Sequence, residues 1–243
     1  MYTLFLKEVR AFLNSVIGYV VIGVFLVITG LFLWVFPSGF NILDMNYANI
    51  DGLFMIAPWV FLFLVPAITM RSFADETKTG TIELLFTKPL TLTQIIVPKF
   101  LADVVLLIIS LVPTLIYFAS VYYLGYPTGN IDQGAMWGSY IGLIFLGATF
   151  IAIGIFASTL TENQVVSFII AAILCMFMYI GFDFLYNLLV FSSVSTLIQN
   201  LGISHHYASI SRGVIDTRDL LYFLSVIVVF LALARLSLQS RRW

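Results

Sequence analysis

The chain has 243 residues, of which 61% are hydrophobic and 9% charged, and its mean hydropathy is +1.08. An ordinary soluble domain carries about 25% charged residues, so this composition predicts a polytopic membrane protein with no room for a separate soluble domain. The formal net charge of −1 provides no basic excess for binding nucleic acid. Cys175 is the single cysteine, which excludes an intramolecular disulfide. We expect one all-α membrane domain over residues 1–243.

Residues 1–15 predict an amphipathic helix that lies in the membrane interface before the first span. Its polar residues recur at helical spacing and are Thr3, Lys7, Arg10 and Asn14. Its apolar stripe is Phe5, Val9, Phe12 and Val16. The same pattern is compatible with the polar start of one long helix. The apolar run that follows is too long for a signal-peptide core and is expected to stay uncleaved.

Six apolar runs predict six transmembrane helices. They cover approximately Val16–Phe36, Leu53–Met70, Pro98–Leu124, Trp137–Leu160, Val165–Phe184 and Leu220–Leu238. Prolines at positions 58, 66, 98 and 113 are expected kink points and candidate hinges, tolerable where a neighbour satisfies the freed carbonyl. Segment 185–217 contains an apolar patch too short to cross, which predicts an extracytoplasmic or re-entrant segment.

Lysine and arginine placement predicts the orientation. Six spans put both termini on one side, and that side would hold nine of the eleven basic residues. These are Lys7, Arg10, Arg71, Lys78, Lys88, Lys99, Arg235, Arg241 and Arg242. The other side would keep Arg212 and Arg218. Both termini and the loop 71–97 are therefore expected in the cytoplasm.

Capping patterns predict where three of the helices begin. Thr91 with Gln94 forms one capping box, and Thr161 with Gln164 forms a second before span five. Asp216 is the expected N-cap of span six, with Asp219 in the first turn where the helix dipole favours an anion.

The loop 71–97 contains a short predicted helix. Gly80 is its expected cap, with Glu83 at the reciprocal position, and Pro89 predicts an end near Thr87. The helix carries apolar side chains that are unusual in a free loop: Ile82, Leu84, Leu85 and Phe86. They suit either insertion into a groove on another protein or folding back onto the membrane interface.

The segment Arg71-Ser-Phe-Ala-Asp-Glu-Thr-Lys-Thr-Gly-Thr-Ile-Glu-Leu-Leu-Phe-Thr-Lys-Pro89 resembles the signature of ABC-2-type permeases, the transmembrane subunits of type V ABC exporters. The segment 211–225 resembles that family's run before its last span, so the resemblance covers essentially the whole chain. The short first loop and the second span look closest to the gliding-motility-associated permease subgroup. His205-His206 departs from the single histidine that relatives tend to carry.

The resemblance implies partners and site residues. It implies a cytoplasmic ABC ATPase, which would use ATP and Mg²⁺, and a second permease copy or paralogous subunit in a bacterial inner membrane. The expected ATPase-coupling residues are Glu76, Lys78, Gly80, Thr81, Glu83, Leu84 and Leu85. The expected outer-loop motif is Arg212, Gly213, Asp216, Arg218 and Asp219.

The family's dimer contact involves spans one and five. That makes the small-residue stripe of span five a candidate dimer face, formed by Ser167, Ala171 and Cys175. Span four has a similar stripe, Gly134, Gly138 and Gly142, and either stripe could instead pack inside the six-helix bundle.

The residues themselves predict no enzyme. No phosphate-binding loop of the Gly-x-x-x-x-Gly-Lys-Ser/Thr type occurs, so ATP hydrolysis would fall to a separate subunit. His205 and His206 lack ligands at metal-binding spacing, and we expect no metal, cofactor or catalytic residue. A self-powered channel or secondary carrier is the alternative; it is disfavoured because Asp103 and Asp183 are expected near the ends of their spans and not at the membrane centre, and an i,i+4 pair with Lys99 explains Asp103. Movement of a solute and transmission of force by the complex are both compatible with these patterns.

Overall fold

The computed structural model describes residues 1–44, 47–87, 89–188 and 195–240. Regular structure within these ranges is entirely helical. Three of the basic residues used to predict orientation, Lys88, Arg241 and Arg242, lie outside the described residues, as do residues 189–194 of the predicted re-entrant segment.

Thirteen α-helices are formed by the described residues. They are α1 Tyr2–Leu13, α2 Val16–Trp34, α3 Asp51–Thr69, α4 Ala74–Lys78, α5 Thr81–Phe86, α6 Leu92–Leu111, α7 Leu115–Leu124, α8 Gln133–Leu160, α9 Gln164–Met176, α10 Phe182–Leu188, α11 Ser195–Gln199, α12 Ile203–Ile210 and α13 Thr217–Ser240. A 3₁₀ turn, Val112–Thr114, joins α6 to α7, and a π-helical segment, Phe177–Gly181, joins α9 to α10.

Six helical stretches in the described part of the chain are long and apolar enough to cross a membrane. They are Val16–Trp34, Asp51–Lys78, Leu92–Leu124, Gln133–Leu160, Gln164–Leu188 and Thr217–Ser240. The prediction of an all-α, six-span membrane protein is thereby confirmed. The predicted N-terminal helix is also separate from the first span, because the Ser15 side chain caps α2 by accepting from the Gly18 amide.

Helix α8 forms the centre of the bundle and packs against α3, α6, α9 and α13. Two glycines of α8 allow α6 and α3 to approach it closely, because a side chain at either position would clash. A Cβ on Gly147 would lie 2.2 Å from a methyl of Leu107, and one on Gly154 would lie 2.1 Å from the Thr69 hydroxyl. Helices α2, α9 and α13 lie at the periphery and expose long apolar faces, as expected for helices that contact lipid.

The prolines affect the spans in different ways. Pro58 and Pro66 lie inside an uninterrupted α3, whereas Pro113 lies in the 3₁₀ turn that divides span three. Pro58 removes the amide that would bond the Phe54 carbonyl, and the buried Tyr207 hydroxyl donates to that carbonyl at 2.8 Å instead. A neighbouring helix therefore satisfies the freed group. The π-helical break in span five was not predicted.

Two of the three predicted helix starts match the structure. Thr91 and Gln94 form the complete capping box of α6. Asp216 accepts from the Arg218 amide at the start of α13. The Thr161–Gln164 box is wrong, because Asn163 caps α9 and the Gln164 side chain is drawn away by a hydrogen bond to Asp75.

The bundle has two ends that differ in their contacts. At the first, called here the α1 end, α1 packs on the start of α6, the Gln164 side chain meets Asp75, and the Ser237 hydroxyl near the end of α13 lies 3.4 Å from the Thr159 carbonyl. At the other, called here the α12 end, α12 packs between the starts of α3, α8 and α13. Helix α1 and the last turns of α13 thus lie at the same end.

Candidate functional site

Four charged side chains form a closed ring at the α1 end, called here the ion ring. The Lys99 ammonium lies 3.0 Å from Glu8 Oε1 and 3.0 Å from Glu76 Oε1. The Lys7 ammonium lies 3.6 and 3.5 Å from the same two oxygens. Positive and negative groups therefore alternate around the ring, which joins α1, α4 and α6.

Lys99 is the buried anchor of the ion ring. Only 1% of the residue is exposed, and its ammonium also donates to the Ser72 carbonyl at 2.7 Å. With Glu8 and Glu76, that carbonyl accounts for all three ammonium donors, which is what a buried lysine requires. The ammonium also lies 5.1 Å from the centre of the Phe73 ring.

The expected Lys99–Asp103 pair is not formed. Asp103 instead accepts a hydrogen bond from the Ser72 hydroxyl at 3.0 Å. Lys99 pairs instead with two glutamates from other elements, Glu8 on α1 and Glu76 on α4. Both elements pack over the start of α6, which brings the two carboxylates to the Lys99 ammonium. Glu8 was missed by sequence analysis, although it is the only acidic residue before Asp44 and lies on the predicted amphipathic helix.

Glu76 also differs from its expected place. It was predicted as a surface charge facing an ATPase, but its side chain is turned into the ion ring and is only 12% exposed. Its second oxygen, Oε2, is buried without a hydrogen-bond partner among the described residues. Glu76 therefore links elements within the chain, and its charge is not available at the surface.

The other predicted coupling residues are on or next to the exposed helix α5. Gly80 adopts the left-handed conformation, with φ of +70°, which turns the chain from α4 into α5. No side chain caps this helix, so the expected reciprocal role of Glu83 is absent. Lys78, Gly80, Thr81, Glu83 and Leu84 are exposed, and Leu85 is half-buried. Ile82 is buried and fixes the helix to the bundle.

A second contact ties α4 to span five. The Gln164 amide nitrogen donates to Asp75 Oδ1 at 2.7 Å. This hydrogen bond and the ion ring connect α4 to α1, α6 and α9, and the chain itself connects α4 to α3.

At the α12 end the glycines make close steric contacts. Gly213 has φ of +83°, and a Cβ there would lie 2.2 Å from the Ala135 Cα. A Cβ on Gly138 would lie 2.5 Å from the Gly213 carbonyl oxygen, and one on Gly142 would lie 2.2 Å from Ile210. The Gly138 and Gly142 positions of the span-four stripe therefore pack inside the bundle.

The remaining outer-loop residues have local structural roles. Arg212 donates to the Ala208 carbonyl at 3.1 Å, while Asp216 and the Arg218 amide form the start of α13. Asp219 lies 2.7 Å from His206 Nδ1, and His206 Nε2 lies 2.9 Å from the Asn200 carbonyl. His206 thus has a carboxylate partner that the sequence did not predict, while His205 is exposed. No cluster of three or more His, Cys, Asp or Glu side chains suited to a metal occurs in the described ranges.

The proposed dimer face is corrected by burial. Ser167, Ala171 and Cys175 are each 0% exposed within one chain, and the Cys175 sulfur lies 3.8 Å from the Phe150 carbonyl. Side chains already buried within one chain are not free to contact a second copy. The opposite face of span five, including Ile169 and Ile173, is exposed.

The six apolar helices, with an ion-linked helix at one end and an exposed loop helix beside it, define a multi-pass membrane protein. Over residues 2–243 the chain matches the model of the family described as ABC-2 family transporter protein. The chain belongs to this family. No curated protein matches it.

Proposed function

We propose that the chain is the membrane-spanning permease subunit of an ATP-driven ABC-2 transporter, and that a separate cytoplasmic ABC ATPase docks on α5. The observation that carries this proposal is Leu84. It is 64% exposed on a six-residue helix that Ile82 anchors, and the helix is joined by Gly80 to the segment containing Glu76. An apolar side chain presented at the edge of a charged loop fits a groove on a protein partner.

The docking surface is formed by the exposed residues on and beside α5. Lys78 and Glu83 supply charge of both signs, and Leu84 with Leu85 supplies apolar contact. Gly80 and Thr81 form the turn that presents the helix, and apart from the glycine and its chain neighbours no described residue places a heavy atom within 4 Å of the position that a Gly80 Cβ would occupy. The turn is therefore open to a partner. ATP and Mg²⁺ would be bound by that partner, since this chain has no phosphate loop.

Motion would pass from α5 to the spans through α4. A displacement of α4 moves Glu76, and with it Lys99 on α6 and Glu8 on α1. It also pulls Asp75 against Gln164 at the start of α9. Ion pairs of this length resist separation but allow small rotations, so they suit an element that is pushed repeatedly.

We further propose that the α1 end faces the cytoplasm of a bacterial cell, with both termini on that side of the inner membrane. The described basic residues support this orientation, since Lys7, Arg10, Arg71, Lys78, Lys99 and Arg235 belong to segments of the α1 end. A second permease copy or paralogous subunit would contact the exposed faces of α2 and α9. We propose export because segment 71–89 resembles the signature of type V ABC exporters, and a link to gliding motility or surface machinery because the first loop and second span resemble the gliding-motility-associated permease subgroup.

The test is reconstitution with and without an ATPase. The tagged chain is purified from its native membrane, and the co-purifying proteins are identified. An ABC ATPase whose turnover changes when the chain is present supports the proposal. Solute flux through liposomes that contain the purified chain alone would instead establish a self-powered channel or carrier.

A further inference from the structure

A cleft of about 310 Å³ opens at the α1 end between α1, the end of α3, α4 and α6. Its wall has two kinds of surface. Phe12, Ile68 and Leu106 form an apolar part, and charged side chains form most of the polar part together with two serines. A cleft with this division suits a molecule that has a polar head and an apolar tail. Its volume is at the lower end of the range for small-molecule sites, roughly 300–1,000 Å³.

Two half-buried charged groups in this wall, Arg71 and Asp75, have no ion-pair partner among the described residues, and the buried Asp103 has only the Ser72 hydroxyl as a partner there. The Arg71 guanidinium forms no ion pair with a described residue, although Lys7 and Lys99 in the same wall are both paired in the ion ring. Asp75 accepts one hydrogen bond from Gln164 but has no basic partner in the described ranges. Both residues are half-buried, so their charges are partly shielded from bulk water. Among the described residues, the accessible part of the cleft therefore offers one cation and one carboxylate that lack an ion pair, since Asp103 is buried against Ser72.

The net charge of the wall restricts the charge that a ligand can carry. Three basic and four acidic side chains line the cleft. A ligand with only negative charge would meet a wall that is not positive overall. A zwitterion is matched at both of the unpaired groups, because a guanidinium binds phosphate in a forked arrangement and a carboxylate accepts hydrogen bonds from a primary ammonium.

We propose that this cleft binds the headgroup of a zwitterionic phospholipid that carries a primary ammonium, as in phosphatidylethanolamine. The phosphate lies on Arg71, the ammonium on Asp75, and the first part of the acyl chains along Phe12, Ile68 and Leu106. A quaternary ammonium such as choline has no N–H to donate to Asp75, and an anionic lipid leaves Asp75 unpaired. The site rests on the membrane-spanning fold, which the family match supports, and not on an ATPase partner.

The position of the cleft supports a lipid over a soluble ligand. It lies beside α1, whose polar and apolar faces suit the membrane interface, and at the end of the apolar spans α3 and α6. Lipid headgroups occupy this depth in a bilayer. A lipid bound here would fill the space between α1 and α4 next to the ion ring.

The test measures lipid binding to the purified, delipidated full-length chain in the absence of any ATPase. Phosphatidylethanolamine, phosphatidylcholine and phosphatidylglycerol with identical acyl chains are added separately, and bound lipid is counted by native mass spectrometry. We expect phosphatidylethanolamine to bind about tenfold more tightly than the other two, the factor expected for one charge-assisted hydrogen bond.

Variants assign the binding to the cleft. Arg71→Gln should weaken phosphatidylethanolamine binding about tenfold, and Asp75→Asn, which still accepts from Gln164, should abolish the preference over phosphatidylcholine. Arg10→Gln removes an exposed basic residue from α1 and should leave binding unchanged. Equal binding of the three lipids by the unmodified chain, or a preference for phosphatidylglycerol, would overturn the proposal without affecting the proposed transport function.

Discussion

The two ends of the bundle are held together by different physical means. At the α1 end, elements far apart in sequence meet through charge: Glu8 and Lys99 are separated by 91 positions. At the α12 end, α12 and the Gly213 turn meet the starts of α8 and α3 mainly through backbone contact and the Tyr207 hydroxyl, and the pair of His206 with Asp219 there joins neighbouring helices, at positions 13 apart in the sequence.

This difference indicates which end can move. Contacts at Gly213 are so close that no methyl group fits, and displacement there would open voids in a packed core. The attraction within an ion pair weakens only gradually as the two charged groups separate, and the side chains can reorient. The exposed helix α5 is at the end that is linked by charge. We infer that the α1 end receives motion while the α12 end serves as the fixed point.

The largest expected effect is at the fixed end. Gly213→Ala places a methyl group 2.2 Å from the Ala135 Cα and forces a left-handed conformation on a residue that disfavours it. We expect a loss of about 3 kcal/mol or more in the free energy of unfolding, seen as a large fall in melting temperature in detergent. Gly39→Ala is the control, since nothing lies within 4 Å of its Cβ position. Equal melting temperatures for the two variants would contradict the tight packing at this end.

The next effect concerns the ion ring. Lys99→Met leaves Glu8 and Glu76 without their buried partner, so we expect a loss of about 3 kcal/mol in stability. Lys78→Met, on the exposed end of α4, should change the melting temperature little. A Lys99→Met chain that melts like the unmodified chain would show that the ring does not hold α1 and α4 to α6.

A smaller effect is expected at the hydrogen bond that the proline in α3 requires. Burial raises the pKa of the Tyr207 phenol well above its usual value, so the hydroxyl keeps its proton and donates to the Phe54 carbonyl. Tyr207→Phe leaves that carbonyl without a donor and should lower stability by about 1–3 kcal/mol. Tyr123→Phe, at an exposed position in α7, is the matched control. If Tyr207→Phe costs no more than the control, water or another group satisfies the carbonyl.

The smallest effect on stability, and the largest on coupling, is expected at α5. Leu84→Ala removes an exposed side chain and should change the free energy of unfolding by less than about 0.5 kcal/mol, so the melting temperature should hardly change. The same variant should weaken ATPase binding, measured by co-purification. A fall in melting temperature comparable to that of Tyr207→Phe would mean that Leu84 packs against the bundle and is not a docking residue.

Local patterns in the sequence predicted the fold well and the site partly. Hydropathy gave the six spans, and the Thr91–Gln94 box gave the start of α6, because both depend on neighbouring residues. Spacing along one helix favoured a Lys99–Asp103 pair. The carboxylates that Lys99 contacts instead, Glu8 and Glu76, belong to elements distant in sequence, so a pattern of neighbouring residues does not predict them. The small-residue stripe of span five was predicted to be a close-packing face, and its burial within one chain favours the alternative of packing inside the bundle over a dimer face, since spacing does not reveal which helix is the neighbour.

Direct contact between α5 and an ATPase is the central claim, and one crosslink tests it. Cys175 is fully buried, so Glu83→Cys adds a single accessible thiol to the chain. In a complex that retains ATP-dependent function, a short thiol-reactive crosslinker at position 83 should join the chain to the ATPase, while a cysteine at Gly39 should not. A functional complex in which position 83 gives no crosslink to the ATPase would contradict α5 as the docking helix.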